Sequence, residues 1–491
     1  MPRRHSLILL AVFLLSVLVR TPQLGRPLSK HHEFCTAVAL VVMDVWWERG
    51  WAECTGCPAV TFSGTCDGEA KDLAPDYMQR NGVRFYISHM PLAYWAPYAV
   101  FKTLGVPPGP LPLQLFNLLL HGLTAFFLYR FLATLVAGCS TPGLADAPLF
   151  AAVFYLLMPA PLWYHGNVYM SDMAVQLPWA WSLAAGAKVF KRKHVELRRS
   201  GWFLLAIAAT ALTEWLGLFT ALTFGGYALS RGLKHKDRGS LLLGAVIPFV
   251  AIALMGAVLA LYINIAGAHA AWAYYMNRWA ERGSFVPGEG VPSSSFIIGL
   301  PKHFLMAYGP LLLLIAIGVL RSRRGPTTVG MRSAWLWMTL PALVHIVVFL
   351  RYTGHEFAVL KFGFLLCAWA AFVLARWGER EPAMANIAFV STCCLGIAMY
   401  TVENRPGDGT ATGDRYDVAM QRGLFIARNA RMDERVFETG AVLEPQLIWY
   451  ARRNLTPLPL ELDSAFQEAG SCPEVHFVFS GDSCAIVRPG L

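Results

Sequence analysis

MPRRHSLILLAVFLLSVLVRTPQ, residues 1–23, decides how the rest of the chain is read. A charged start followed by an apolar run over 6–19 has the first two regions of a secretory signal. No small-residue cleavage site follows, only Arg20-Thr21-Pro22, so the run reads as a retained first span with its N-terminus in the cytoplasm. Every later span takes its direction from this one.

Composition agrees with a membrane chain. Of 491 residues, 56% are hydrophobic and 15% charged, and the mean hydropathy is +0.45, which describes a protein whose main solvent is lipid. The net charge of +10 raises the question of nucleic acid, but the basic residues lie in short loops between apolar runs, where membrane topology demands them. No nucleic-acid partner is expected. Further apolar runs near 112–130, 147–162, 172–190, 201–213, 216–230, 241–265, 304–320, 334–350, 357–375 and 384–402 bring the total to about eleven spans. With that count, three basic clusters fall on one side: Lys191, Arg192, Lys193, Arg198 and Arg199; Arg231, Lys234, Lys236 and Arg238; and Arg321, Arg323, Arg324 and Arg332. That side is the cytoplasm.

The outer side then collects a first loop over 20–111, a segment at 163–171, a tight turn at Thr213-Glu214, a loop over 266–303, a short one at 351–356, and the tail. In the first loop, 36–47 (TAVALVVMDVWW) reads as an amphipathic helix too short to span, with Glu33 at its N-terminus. The apolar stretch 91–104 is short and broken by Pro97, and inserting it would turn the 191–200 basic loop outward. It is expected along the outer interface, where Tyr94, Trp95 and Tyr98 suit an aromatic belt. Cys35, Cys54, Cys57 and Cys66 are read as disulfide partners on an oxidising face rather than as a zinc site.

The tail over 403–491 is a different material. A polar, Gly-rich stretch leads into a strand at 435–439, a helix at 444–452 and a hairpin-like pair at 475–479 and 485–487, a small soluble α/β outer domain. Cys472 and Cys484 flank the hairpin and are expected to pair. Asn454-Leu455-Thr456 has the form of a glycosylation sequon and is read as incidental. The fold class is therefore mostly α: a polytopic helical bundle over 1–402, interfacial helices in its first outer loop, and the outer domain.

Two stretches of the first loop carry most of the functional signal: HHEF (31–34) and RFYISHMPLAYW (84–95). Together with MPAPLWYHGNVYMSDM (158–173) and GHEFAVLKFGF (354–364), their order and sidedness resemble the C-type (GT-C) membrane glycosyltransferases, in the branch of protein O-mannosyltransferases and aminoarabinose lipid A transferases. The resemblance covers about the first four hundred residues. In that family the opening motif is Asp-Glu near an aromatic and its acid serves as base; here His32 stands where Asp is usual, leaving Glu33. The Lys/His-Pro-Pro-Leu motif becomes His89-Met90-Pro91-Leu92, Asp172 matches the acid of the second outer segment, and His355 and Lys361 match a late basic position. The family's Lys in the tight turn is Glu214 here.

The resemblance implies an inverting glycosyltransferase that moves a sugar from a polyprenyl-phosphate carrier to an acceptor, whether protein, lipid or glycan, at the outer face of the inner (cell) membrane. Such chemistry needs positive charge on the leaving phosphate and a carboxylate for the acceptor proton. Glu33 and Asp172 are the expected catalytic carboxylates; Arg84, His89, Lys361, Arg278 and Arg282 the expected phosphate contacts; His32 and His355 further candidates. No cofactor is called for, and a divalent metal is not indicated. Each residue also has a plainer reading. Glu33 could stabilise a helix N-terminus, His31 and His32 could be solvated, Arg84 and His89 could anchor headgroups, and Arg278, Glu281 and Arg282 stand at salt-bridge spacing on a helix. His121 and His345, inside spans, read as packing or hydrogen-bonding residues. A flippase or transporter of a lipid-linked substrate is the alternative, and it predicts ionisable residues lining a path through the spans.

Overall fold

The computed structural model describes residues 1–28, 32–63, 75, 77–137, 142–284, 294–322, 329–404, 418–438, 444–457, 473–480 and 483–488. Among these, six helices are long and apolar enough to cross a membrane: Arg3–Gln23, Pro110–Val136, Arg238–Ala266, Ile298–Arg321, Glu356–Gly378 and Pro382–Glu403. The five remaining apolar runs are also helical, as Ala147–Leu157 with Pro159–Tyr164, Gln176–Phe190, Gly201–Thr213, Leu216–His235 and Val329–Val348, but these helices are shorter or less uniformly apolar.

Burial ranks these helices. The apolar window of Arg3–Gln23 is 22% buried, whereas that of Glu356–Gly378 is 83% buried, so the first lies at the rim and the second at the centre of the bundle. The central helix can be surrounded because small residues let its neighbours approach. Gly363 faces Tyr308, whose hydroxyl would lie 2.6 Å from an added Cβ, and Ala368, Ala370, Ala371 and Ala375 are all buried. Gly201–Thr213 and Leu216–His235 fold back on each other through a turn so tight that a Cβ on Gly217 would lie 2.3 Å from the backbone nitrogen of Ala211. That turn carries Glu214 into the protein, at 4% exposure.

The expected short helix of the first loop is Glu33–Arg49, and it differs from expectation in being buried on every side from Thr36 to Trp46. Its outer face is covered by the tail. Trp449 Nε1 donates to Asp44 at 2.8 Å, Arg452 pairs with Glu48 at 2.8 Å, and Asn454 bonds the backbone of Phe62 in both directions. Asn454 is thus a structural clamp. The interfacial stretch after His89 is helix Leu92–Leu104.

In the tail, a four-stranded sheet runs in the order Leu455–Pro457, Arg435–Glu438, Glu474–Ser480, Ser483–Val487; the first two pairings are parallel and the last is the expected hairpin. Helix Val418–Asn429 and the Leu455–Pro457 strand add to the elements expected of the tail. The cysteine reading needs correction. Cys54 and Cys57 are buried and unpaired, acting as small apolar residues beneath Trp46, whose Nε1 donates to the Cys57 carbonyl at 2.9 Å. Cys35 and Cys484 are also free thiols, and Cys66 and Cys472 lie outside the described residues.

Candidate functional site

Asp172 enters from the short helix Ser171–Ala174, which begins where the buried segment after Pro159–Tyr164 turns back into the bundle. Its carboxylate is 2% exposed and fully engaged: Oδ1 takes the ammonium of Lys361, itself without exposure, and Oδ2 accepts from the Tyr352 hydroxyl at 2.9 Å. Lys361 and Tyr352 come from consecutive 3-10 segments, Leu350–Gly354 and Glu356–Phe362, that precede the central helix. Lys361, expected at a phosphate, has its ammonium on Asp172 in this structure.

A second buried pair stands beside the first. Glu214 Oε1 meets His345 Nε2 at 3.0 Å, and Oε2 accepts the Leu216 backbone N–H at 2.7 Å, capping the next helix. Burial pushes the Glu214 carboxyl up, but His345, Lys361 and these hydrogen bonds outweigh it and hold the acid below the usual carboxylate range. Asp172, Glu214 and His345 each present one ligand atom within 4.8 Å of the others, enough for three corners of a divalent site. The donor set is already answered from within, because Lys361 occupies Asp172 and His345 occupies Glu214.

The Glu214–His345 pair lines a cavity of about 730 Å³, and the Asp172–Lys361 pair lies behind its Tyr352 wall. Its walls are apolar along Arg238–Ala266 (Ile252, Met255, Leu259, Ile263), and its polar end carries His89, Glu214, His345, Tyr352, Arg278 and Arg282. The two arginines lie one turn apart on the amphipathic helix Ala268–Arg282. Arg278 pairs with Glu281 at 2.6 Å and bonds Tyr274; Arg282 sits over the Tyr352 ring at 5.2 Å and makes no ion pair among the described residues. His89 is fixed by Ser171 Oγ at 2.9 Å on Nδ1, and its carbonyl accepts from Tyr262 at 3.1 Å. Burial, reinforced by Arg282, lowers its pKa to about 4, so the expected cation is a neutral hydrogen-bonding imidazole.

The remaining expected residues lie elsewhere. Glu33 is 2% exposed and pairs through both oxygens with Arg26, at 2.5 and 3.1 Å, outside this cavity. His32 stacks edge-on to Phe357 and lies 5.9 Å from the His355 ring, beyond the Tyr352 side of the site. Arg84 is buried in the small hairpin formed by Gln79–Arg80 and Val83–Arg84, away from the cavity lining. The sequence reading undervalued Glu214 and His345. The available signal was that Glu214 stands alone as an acid between two apolar runs and His345 within a third, where ionisable groups are costly.

The chain matches no protein-family model and no curated protein sequence. Its structure does match solved ones. ArnT from Cupriavidus metallidurans bound to undecaprenyl phosphate superposes with a TM-score of 0.63 at 14% identity, over 97% of this chain and 93% of that one. The fold is that of the GT-C membrane glycosyltransferases. AglB, the oligosaccharyltransferase of Archaeoglobus fulgidus, in complex with an inhibitory peptide and a dolichol-phosphate, gives 0.56 at 12% identity over 92% of this chain. A second Archaeoglobus fulgidus oligosaccharyltransferase structure, tethered to an acceptor peptide, gives 0.57 at 12% identity; the chain spans 64% of its length. The shared GT-C architecture covers nearly the whole of this chain, tail included.

Proposed function

We propose that this chain is a membrane glycosyltransferase that moves a sugar from a polyprenyl-phosphate carrier to an acceptor hydroxyl at the outer face of the membrane. The observation that carries the reading is the 730 Å³ cavity, apolar along one wall and ending in Arg278, Arg282, the buried Glu214 and Tyr352, whose hydroxyl donates to Asp172. A prenyl chain fits the apolar wall, and its phosphate meets the guanidinium of Arg282, with Arg278 one turn away. The solved relatives of this fold hold undecaprenyl phosphate and dolichol-phosphate, which is consistent with such a ligand.

In the reaction the acceptor oxygen attacks the anomeric carbon, the bond from that carbon to the phosphate oxygen breaks, and the configuration inverts. The phosphate leaves as an anion stabilised by the arginines, so no strong acid is required. The acceptor proton passes to Asp172. Each of its oxygens has a second lone pair beyond those engaged by Lys361 and Tyr352, and the two partners fix its orientation. Glu214, with His345, adds negative charge opposite the developing oxocarbenium character of the sugar. Glu33, tied to Arg26, holds the entry to the Glu33–Arg49 helix.

The test is label transfer in liposomes containing the purified protein, labelled polyprenyl-phosphate sugars and cell-envelope acceptors. Transfer by wild type, lost in Asp172→Asn and weakened in Arg282→Ala, supports the reading. Label that crosses the bilayer without transfer favours the flippase, and transfer unaffected by both substitutions removes the site.

A further inference from the structure

Among the described residues, Tyr352 lines the cavity and neither Asp172 nor Lys361 does. The carboxylate proposed to receive the acceptor proton therefore stands one side chain away from the space open to substrates, and the side chain between is a phenol. Tyr352 Oη donates to Asp172 Oδ2 at 2.9 Å, while the Lys361 ammonium holds Oδ1. The phenol ring is fixed in turn: the Arg282 guanidinium lies 5.2 Å from its centre, Phe357 meets it edge-on at 5.1 Å and His355 at 5.6 Å. Its backbone belongs to Leu350–Gly354, which is tied to helix Ala268–Arg282 by Arg351 donating to the Ala280 carbonyl at 3.1 Å. Burial, with the Asp172 charge beside it, pushes the phenol up, so Tyr352 keeps its proton and serves Asp172 as a donor. Its neighbours at the polar end are committed or weakly basic. Arg278 and Arg282 have no lone pair to offer, both Glu214 oxygens are engaged by His345 and the Leu216 N–H, and His89 titrates only at about 4. His345 gives Nε2 to Glu214 and packs its ring against Phe349 and Phe219, at 4.9 and 6.1 Å.

From this lining we infer that Tyr352 is a catalytic proton relay, the group that touches the acceptor hydroxyl and passes its proton to Asp172. The acceptor O–H bond breaks towards Tyr352 Oη as the Tyr352 O–H bond breaks towards Asp172 Oδ2, and the acceptor oxygen attacks the anomeric carbon. The electron pair of the broken bond to that carbon leaves on the phosphate oxygen. One proton ends on Asp172, the carrier departs as a phosphate monoester with one more negative charge, and the phenol is restored. A phenol can do this in one motion because its oxygen accepts through lone pairs while its O–H donates. The arrangement also keeps like charges apart: a carboxylate on the wall beside Arg282 would repel the carrier phosphate, whereas one behind Tyr352 and neutralised by Lys361 does so far less. The inference rests on the proposed transfer reaction and adds to it the first station of the proton.

Tyr352→Phe keeps the ring beside Arg282 and removes only the relay. In liposomes with the full chain and labelled polyprenyl-phosphate sugars, two acceptors are compared: the hydroxyls of cell-envelope acceptors, and sodium azide, an anion that attacks with no proton to lose. The variant's kcat for hydroxyl transfer is expected to fall by about 100-fold or more, the scale of lost general-base catalysis. Its binding of polyprenyl phosphate should stay within about twofold of wild type, which reports that it is folded, and its formation of glycosyl azide within about threefold. For the wild type, single-turnover rates in mixtures of light and heavy water should fall along a curve, because two protons move together. Hydroxyl transfer by the variant within tenfold of wild type overturns the relay, and so does a straight line for the wild type. Loss of azide transfer along with hydroxyl transfer, from a wild type that makes both, also overturns it and leaves Tyr352 a structural wall. A wild type that transfers to neither acceptor overturns the transferase reading itself, a result distinct from a failed relay in an active wild type.

Discussion

Lys361→Met is the most informative single change, because Lys361 and Asp172 have side-chain exposures of 0% and 2%. Removing the ammonium leaves a buried carboxylate with one remaining donor, Tyr352. Breaking such a pair from one side costs about 3–5 kcal/mol, because the surviving charge is neither solvated nor paired. Asp172→Asn should cost a similar amount by stranding the ammonium. The double substitution removes both charges, keeps a hydrogen bond from Tyr352 to the amide oxygen, and should return stability to within about 1–2 kcal/mol of wild type. The coupling energy is then on the order of 3 kcal/mol or more, readable as a double-mutant cycle of unfolding free energies from denaturing-detergent titrations. Additivity within about 0.5 kcal/mol would refute the buried pair. The rescued double variant should fold yet transfer no sugar, since the amide that replaces the Asp172 carboxylate cannot accept the proton, which separates the structural role of the pair from its chemistry.

Arg282→Ala should weaken polyprenyl phosphate binding by about tenfold to a hundredfold, the value of a charge-assisted hydrogen bond, in a fluorescence-quench or competition assay; an unchanged affinity argues against Arg282 as the phosphate contact. His89 titrates near pH 4 when folded against about 6.5 when unfolded, so the unfolded chain takes up its proton first as pH falls. Stability from this group is complete above about pH 6.5 and is lost between 6.5 and 4, about 3 kcal/mol in all, and His89→Gln should flatten that limb of the stability profile. Asn454→Leu removes both bonds to Phe62 and should make the tail cleavable by limited proteolysis before the bundle unfolds. Gly217→Ala places a methyl against the backbone at Thr210 and Ala211 and should cost about 1–3 kcal/mol, with loss of the Glu214–His345 contact seen as reduced transfer.

The sequence carried the fold far better than the site, for a physical reason. A span declares itself by local hydropathy and a basic loop by local charge, so the bundle, the Leu92–Leu104 helix and the tail hairpin could be read from neighbouring residues. Asp172 could be picked out for the same reason, as a charge near the end of an apolar run, and Arg278 and Arg282 as cations in an outer loop. Their partners were not. Lys361 meets Asp172 across 189 positions and His345 meets Glu214 across 131, and no local pattern encodes such pairings. The amphipathic reading of the 36–47 stretch failed in the same way: Asp44 and Glu48 are polar because Trp449 and Arg452 lie on them, some four hundred positions later.

Long-range contacts also explain why five cationic candidates reduce to one helix. In water each would carry its charge to a phosphate equally well, but burial reassigns them. His89 loses its charge, Lys361 gives its charge to Asp172, and Arg84 is enclosed in a backbone hairpin. Among the described residues only Ala268–Arg282 keeps cations facing the cavity, because its amphipathic pattern leaves one face to the protein and the other open, and along it Arg278 is partly answered by Glu281 while Arg282 is not. Guanidinium groups one turn apart, one compensated and one without a described ion pair, place positive charge beside Tyr352, whose hydroxyl donates to Asp172. In the proposed reaction a sugar phosphate drawn there would bring the sugar's anomeric carbon toward the carboxylate that Lys361 and Tyr352 hold in place, so that the same few side chains would set the positions of the leaving group and the proton acceptor.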